Sequence, residues 1–471
     1  MAGQRKTEGA GTIALLSRAL LAAREQIVSD SALRQAKLLL LDTIGCGIAG
    51  AREDVARAVA EVAMRGTAPE CALIGRAQKT DLLNAVLANG VAVRVLDLND
   101  YIIGNSKGQP EAGGHPSDNI PVALAVGAAR KCSGRDILSA IVIGYELYAS
   151  LQRLMDRAGP WDGVTGSGLV TPAIAGLLMG LDETRLSHAL ALGLARAATP
   201  ALVRRGDISS AKSVANALVA QSGVQAALLA EHGLTGPLAI LDDAYGLRAL
   251  FSNVDMDSLT APFPAESAIL RAHVKTYPCV NTAQSAVAAA LKLRSALSEG
   301  ASSLSRIEVT MADYPVIKRQ QEDPGRIRPQ SREAADHSFT FVVATALIDG
   351  QFGIAQFENG RWRDPAIISL MEKIELRRDA QWNARVPGGY PCAIRAVDRT
   401  GREYSAEIPY PPGFSTNGLD EHAVIAKFHA VTESILSRSA RERIVDVSLE
   451  FDHSPSTQKL DTAIAIEESI R

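Results

Sequence analysis

Between Ser31 and Gly50 the apolar positions Leu33, Ala36, Leu40, Ile44 and Gly47 recur every three to four residues. That is the period of one helical face, and Ser31 can cap its start. A second helix is predicted from Ser133, where Ser133 and Asp136 have capping-box spacing and Ile137, Ile141, Tyr145 and Tyr148 form the buried stripe. Gly159-Pro160 ends it. A third runs from about Ser209 to His232, with Ala211, Val214, Ala215, Leu218, Ala227 and Leu228 on helical spacing and Gly233 as its stop. The uncharged run Gly163 to Leu181 is long enough to raise the question of a membrane span. Its Pro172, glycines and hydroxyl residues predict instead a buried helix behind a Gly-rich loop.

Beyond about Ala272 the pattern changes. Ile307, Val309 and Met311 alternate with Glu308 and Thr310 as in a half-buried strand. Further strands are predicted at Ile374 to Leu376, at Cys392 to Val397 and Glu403 to Ile408 around the turn Asp398-Arg399-Thr400-Gly401, and at Val445 to Leu449. Helices are expected at Ser338 to Leu347 and Glu421 to Leu436. The chain therefore reads as mainly α: a helical domain over residues 8–270, a smaller α+β domain over 271–414, and a C-terminal segment over 415–471.

Composition sharpens this picture. At 471 residues the chain exceeds what one core usually serves. Aromatics are only 4% while Ala, Leu, Val and Gly abound, which suits helices in close contact through small residues. Lys plus Arg number 49 against 52 Asp plus Glu, a formal charge of -3, so no global field favours nucleic acid or an anionic membrane. Any anion must be captured by a local cluster. Cys46, Cys71, Cys132, Cys279 and Cys392 lack the paired spacing of a zinc or iron–sulfur site, and the N-terminal residues lack the pattern of a secretory signal. A cytoplasmic protein with reduced thiols is expected.

Four polar stretches could carry chemistry. In Arg94 to Tyr101 with Gly114 to Asn119, His115 could act as acid or base and Asp97 could orient it or take a proton from carbon. The plainer reading is that Ser117 or Asp118 caps a helix from Asn119. In Lys275 to Gln284, Lys275 could neutralise a carboxylate and Tyr277 relay a proton, against a solvated lysine beside a core tyrosine. In Arg205 to Lys212, Lys212 could add charge to an anion site at a helix start, or simply face water. In Pro329 to Ser338, Arg332 offers a fork for a carboxylate, while Asp336 or Ser338 could be a cap and His337 structural.

Taken together these stretches resemble the MmgE/PrpD family. Arg94 to Asp100, Gly114-His115-Pro116-Ser117-Asp118-Asn119 and Ala335-Asp336-His337-Ser338 carry the resemblance. Supporting matches are Leu41-Asp42-Thr43-Ile44-Gly45, Gly233-Leu234-Thr235-Gly236-Pro237 and Lys275 with Tyr277-Pro278. The resemblance implies a large helical domain built from both chain ends, a smaller inserted α+β lid, a site between them, a homodimer, and no metal or organic cofactor. It implies catalytic roles for Asp97, His115, Lys275 and Lys212. Substrate contacts are implied for Asn99, Asp100, Tyr101, Ser117, Asp162, Arg205, Tyr277, Gln284, Arg332 and His337. The expected ligand is a small polycarboxylate. The expected activity is a hydro-lyase of a tri- or dicarboxylic hydroxy acid such as 2-methylcitrate, with decarboxylation or epimerisation of a related acid, or a catalytically inactive binding protein, as the alternatives.

The chain also departs from the family pattern. Relatives usually have histidine where Gly163 follows Trp161-Asp162, and tryptophan where Ala211 precedes Lys212. Tyr101 replaces a common threonine, Thr282 stands where histidine is frequent, and the Ile103 to Gly114 loop is longer than usual.

Overall fold

The computed structural model describes residues 11–467 apart from 27, 67, 107–108, 155–158, 248–256, 262–267, 386–389 and 415–417. The protein is mainly helical. The helix predicted from Ser31 spans Asp30–Gly50, and its cap is Ser29, whose Oγ accepts from the Ala32 N–H at 3.3 Å. The Ser133–Asp136 capping box forms as expected at the head of Gly134–Leu154. Gly159-Pro160 lies just past residues 155–158, which are outside the described set, so where that helix stops is not described. The third predicted helix spans Ala211–Glu231 and ends before Gly233, which has a φ of +87°.

These helices pack around one large apolar core drawn from residues between Ile13 and Val274 and again from Leu419 to Ile464. Small residues set the contact distance, as composition suggested. A Cβ on Gly90 of the Leu82–Arg94 helix would sit 2.9 Å from the Ala217 methyl. The uncharged run after Gly163 is a 3-10 turn, Gly163–Gly166, and the helix Ser167–Leu178, almost wholly buried. Among the described residues Ala211–Glu231 is the one helix that by itself is long and apolar enough to cross a membrane, and 61% of its apolar window is buried inside the protein.

A second core comprises residues between Cys279 and Ala406. Its four-stranded sheet runs in the order Ile374–Asp379, Leu304–Ala312, Cys392–Asp398, Glu403–Ile408, with the first pair parallel and the others antiparallel. The helices Gln284–Arg294 and Phe339–Asp349 cover one face. Ser338 caps the latter through the Phe341 N–H, and Gly350 closes it in the left-handed conformation. The turn at Asp398 is held by its own carboxylate, which accepts from the Thr400 N–H at 2.8 Å.

Besides the Ser31 cap, which Ser29 replaces, two sequence expectations fail. Val445–Leu449 is not a strand but the end of the helix Arg438–Leu449, capped by Ser437. Its alternation of Val445, Val447 and Leu449 imitates a strand over five residues. The helical spacing of Ile444, Val445 and Ser448, which are the buried positions, prevails because that face packs on Asp30–Gly50. The C-terminal helix likewise stops at Thr432 rather than Leu436.

Candidate functional site

The site begins where the Leu82–Arg94 helix ends. Past Val95 the chain turns sharply because Asp97 adopts a left-handed backbone, φ +51°, which aspartate tolerates better than most residues. This turn aims the Asp97 carboxylate inward, 1% exposed. Lys427, from the Glu421–Thr432 helix, braces the same loop by donating to the Leu98 carbonyl at 2.8 Å while pairing with Asp42 at 2.6 Å.

Three cations converge on Asp97. Arg94 Nη1 lies 2.8 Å from Oδ1, Lys212 Nζ lies 3.0 Å from Oδ2, and Lys275 Nζ bonds Oδ1 and also the Asp97 carbonyl, the latter at 2.8 Å. Burial works to raise the Asp97 carboxyl, but Arg94, Lys212 and Lys275 together outweigh it and hold the group well below the usual carboxylate range. Lys212 reaches on to the second core, where both oxygens of Asp336 lie 2.7 Å from its Nζ. The Lys275 ammonium is itself pushed below its ordinary value, first by burial and then by Arg94, with Asp97 opposing.

Two imidazoles flank the cluster. His115 Nδ1 is 2.6 Å from the Asp100 carbonyl oxygen, which can only accept, so Nδ1 carries the proton and Nε2 is left as a base. That Nε2 is 3.9 Å from Asp97 Oδ1. Burial, then Arg94 and Lys275, hold His115 well below the ordinary imidazole value, so it is neutral at pH 7. His337 donates through Nδ1 to Asp336, lies 3.6 Å from Asp97 Oδ2, and is brought down to about 3 by burial and Lys212.

Around these groups a hydrogen-bonded frame fixes positions. Asp100 accepts from the Tyr145 hydroxyl at 2.8 Å and the Ser117 N–H at 3.2 Å, and burial raises its carboxyl to about 7. Asn99 Nδ2 donates to both Ser117 Oγ and Asp118 Oδ1 at 2.8 Å. Gly114, at φ +118°, lets His115 sit against Tyr148, because a Cβ there would lie 2.3 Å from the tyrosine oxygen. The Ile103 to Gly114 loop is a hairpin of strands Ile102–Ser106 and Gln109–Gly114.

Asp97, Asp336 and His337 bring ligand-type atoms within 4.8 Å of one another, as a metal would require. The Lys212 ammonium lies between the two carboxylates, 3.0 Å from Asp97 Oδ2 and 2.7 Å from Asp336 Oδ2.

The MmgE/PrpD N-terminal domain description matches residues 16–259 and the MmgE/PrpD C-terminal domain description matches residues 277–452. The chain belongs to the MmgE/PrpD family. It is similar to the cis-aconitate decarboxylase of Mus musculus, 25% identical over 449 residues, covering 89% of this chain and 86% of the relative. The Homo sapiens cis-aconitate decarboxylase is 24% identical over 446 residues, covering 89% and 87%. The 2-methylcitrate dehydratase of Salmonella typhimurium is 25% identical over 466 residues, covering 93% and 94%. These relatives are enzymes, and they carry different reactions at equal similarity.

Of the residues expected from the MmgE/PrpD pattern, Asp97, His115, Lys212, Lys275, His337 and Arg332 meet in one place. Lys212 is 1% exposed and does not face water, and Asp118 and Asp336 are ion-pair and hydrogen-bond partners rather than caps. Asn99, Asp100 and Ser117 form the frame behind His115. Arg332 is not a free fork, since Nη1 donates to the Val95 carbonyl at 2.7 Å and the guanidinium lies over the Phe357 ring. Gln284 folds back onto Thr276, Tyr277 and Cys279 and so fixes the turn after Lys275, while the Tyr277 ring packs on Phe352. Tyr101 is buried in an antiparallel bridge with His273.

Arg205 is exposed, and its neighbour Arg204 instead makes the ion pair with Asp162, at 2.8 Å. Arg204 ends a 3-10 turn, Ala201–Arg204, and Arg205 follows it in extended backbone, a difference that a sequence run cannot show. Sequence reasoning passed over Arg94, Asp336, Tyr145 and Tyr148 as site residues. The i, i+3 spacing of Arg94 and Asp97 was the available signal for the first.

Proposed function

We propose that this protein is a lyase that removes a proton from the carbon next to a carboxylate of a small tri- or dicarboxylic hydroxy acid and expels the neighbouring hydroxyl as water. The observation that carries this reading is the His115 tautomer: Nδ1–H is committed to the Asp100 carbonyl, leaving a neutral Nε2 beside a buried group of fixed cations. A base with a bare lone pair and positive charge placed for a developing enediolate are what carbon deprotonation needs.

In this scheme the C–H bond breaks toward His115 Nε2. The electron pair becomes the new C=C bond as the C–O bond breaks, and Lys275 gives a proton to the departing oxygen. Its lowered affinity for the proton suits it to that transfer. Asp97, kept ionised by three cations, is the anchor that holds them rather than the base. We further propose that the second core acts as a lid over this site and that the protein works as a cytoplasmic homodimer, in keeping with its five unpaired cysteines.

A second reading, decarboxylation of an aconitate-like acid, draws support from Gly163, which places no proton donor beside Asp162, and from the equal similarity to decarboxylases. The same cations would stabilise the carbanion left when carbon dioxide departs. Incubation with 2-methylcitrate, citrate and cis-aconitate, followed by ultraviolet absorbance and carbon dioxide release, separates the two. New absorbance from the hydroxy acids without gas supports dehydration; gas from cis-aconitate supports decarboxylation; neither, over the whole panel, overturns both.

A further inference from the structure

Resting on the lyase reading above, we propose that Asp336 is an internal carboxylate seated in the subsite for one substrate carboxylate, and that the incoming polycarboxylate displaces it from Lys212. Both Asp336 oxygens are 2.7 Å from Lys212 Nζ, Arg332 Nη1 approaches Oδ2 at 3.7 Å, and His337 donates to Oδ1. This is a complete carboxylate receptor, filled by the chain itself.

The charges near Asp97 show why an exchange is needed. Arg94 and Lys275 are committed to Asp97, Lys212 to Asp97 and Asp336, and Arg332 to the Val95 carbonyl with Glu53 at 3.3 Å. A ligand with two or three negative charges added beside both aspartates would meet like charge at close range in a buried site. One internal carboxylate therefore has to leave.

Asp336 is the one that can. Asp97 is gripped by Arg94, Lys212 and Lys275, and Lys275 also bonds its backbone carbonyl. Among the described residues Asp336 has one cation at hydrogen-bond distance, Lys212, and its other side-chain donor is the neutral His337. It follows the short Arg332–Ala335 helix beside the second core, whereas Lys212 stands on a helix of the first. Lys212 can exchange Asp336 for a ligand carboxylate while Arg94 and Lys275 keep their hold on Asp97. Arg332 Nη2, buried and without a hydrogen-bond partner among the described residues, offers the arriving carboxylate a donor that Asp336 does not use.

Isothermal titration with tricarballylate, a tricarboxylate with no hydroxyl to lose, tests the exchange on the unaltered protein, Asp336→Asn and Lys212→Met. The amide keeps the shape of the carboxylate but not its charge, so Asp336→Asn should bind about tenfold more tightly and Lys212→Met about tenfold more weakly. If the unaltered protein binds and Asp336→Asn binds no better, the displacement is wrong while the polycarboxylate reading stands. If neither binds, that reading falls and takes the displacement with it. Should Asp336→Asn fail to fold, a crystal of the unaltered protein with tricarballylate decides: Lys212 on the ligand supports the exchange, and a retained Lys212–Asp336 pair overturns it.

Discussion

Two regions of this molecule are rich in arginine and acidic residues, and they behave differently. On the uncovered face of the four-stranded sheet, Arg306 pairs with Glu375 at 2.7 Å and Arg385 with Glu407 at 2.5 Å. Arg306 lines a depression of about 580 Å3 and Glu407 one of about 450 Å3, yet the Arg306 and Glu375 side chains are 64% and 59% exposed. Around Asp97 the same kinds of pair are 0–2% exposed. Water screens the first set and leaves each pair worth little, whereas the second set interacts at nearly full strength and cannot lose a member cheaply. Chemistry belongs where the charges are dry, and these open depressions are not the better candidate.

The sharpest way to break this contrast is Asp97→Asn. It strands Arg94, Lys212 and Lys275 with an uncompensated buried charge, so unfolding in urea should show a loss of about 3–5 kcal/mol, with activity abolished. A loss no larger than that of a surface substitution would erase the distinction. Next in size is His115→Ala, which should lower kcat by a factor of about 10²–10⁴ and cost less in urea unfolding than Asp97→Asn, because it removes one hydrogen bond to the Asp100 carbonyl and no close ion pair.

Acidity sharpens the comparison further. The Asp97 carboxyl is lowered on folding, so its stabilisation is complete above the ordinary carboxylate value of 3.8 and is lost as the pH falls through the lower folded value. The stability gap between the unaltered protein and Asp97→Asn should therefore be constant from about pH 7 to pH 5 and shrink below about pH 4. For activity, His115 is held well below 6.5, so the acid limb of kcat/KM should lie below pH 6.5 rather than on it. The smallest effect is expected from Arg306→Ala on the sheet face, which should leave the thermal midpoint and turnover where they were.

Apolar periodicity and capping chemistry determined the long helices by themselves: Asp30–Gly50, Gly134–Leu154 and Ala211–Glu231 were legible because a buried face of three or more turns leaves its period in the residues. The strands of the sheet were legible for the same reason at period two. Over the five residues Val445 to Leu449 the two periods are indistinguishable, and only packing against Asp30–Gly50 chose the helix. The residue types of the site, and their grouping into four stretches, could also be read directly.

What tertiary structure alone decided is which of them share a charge. Lys212 and Asp336 are 124 positions apart, and Lys275 and Asp97 are 178 apart. Nothing local distinguishes a first-turn lysine bound for water from one sealed between two carboxylates. The distinction arises only when two cores close on each other, because burial removes the water that would otherwise make each charge indifferent to its neighbours.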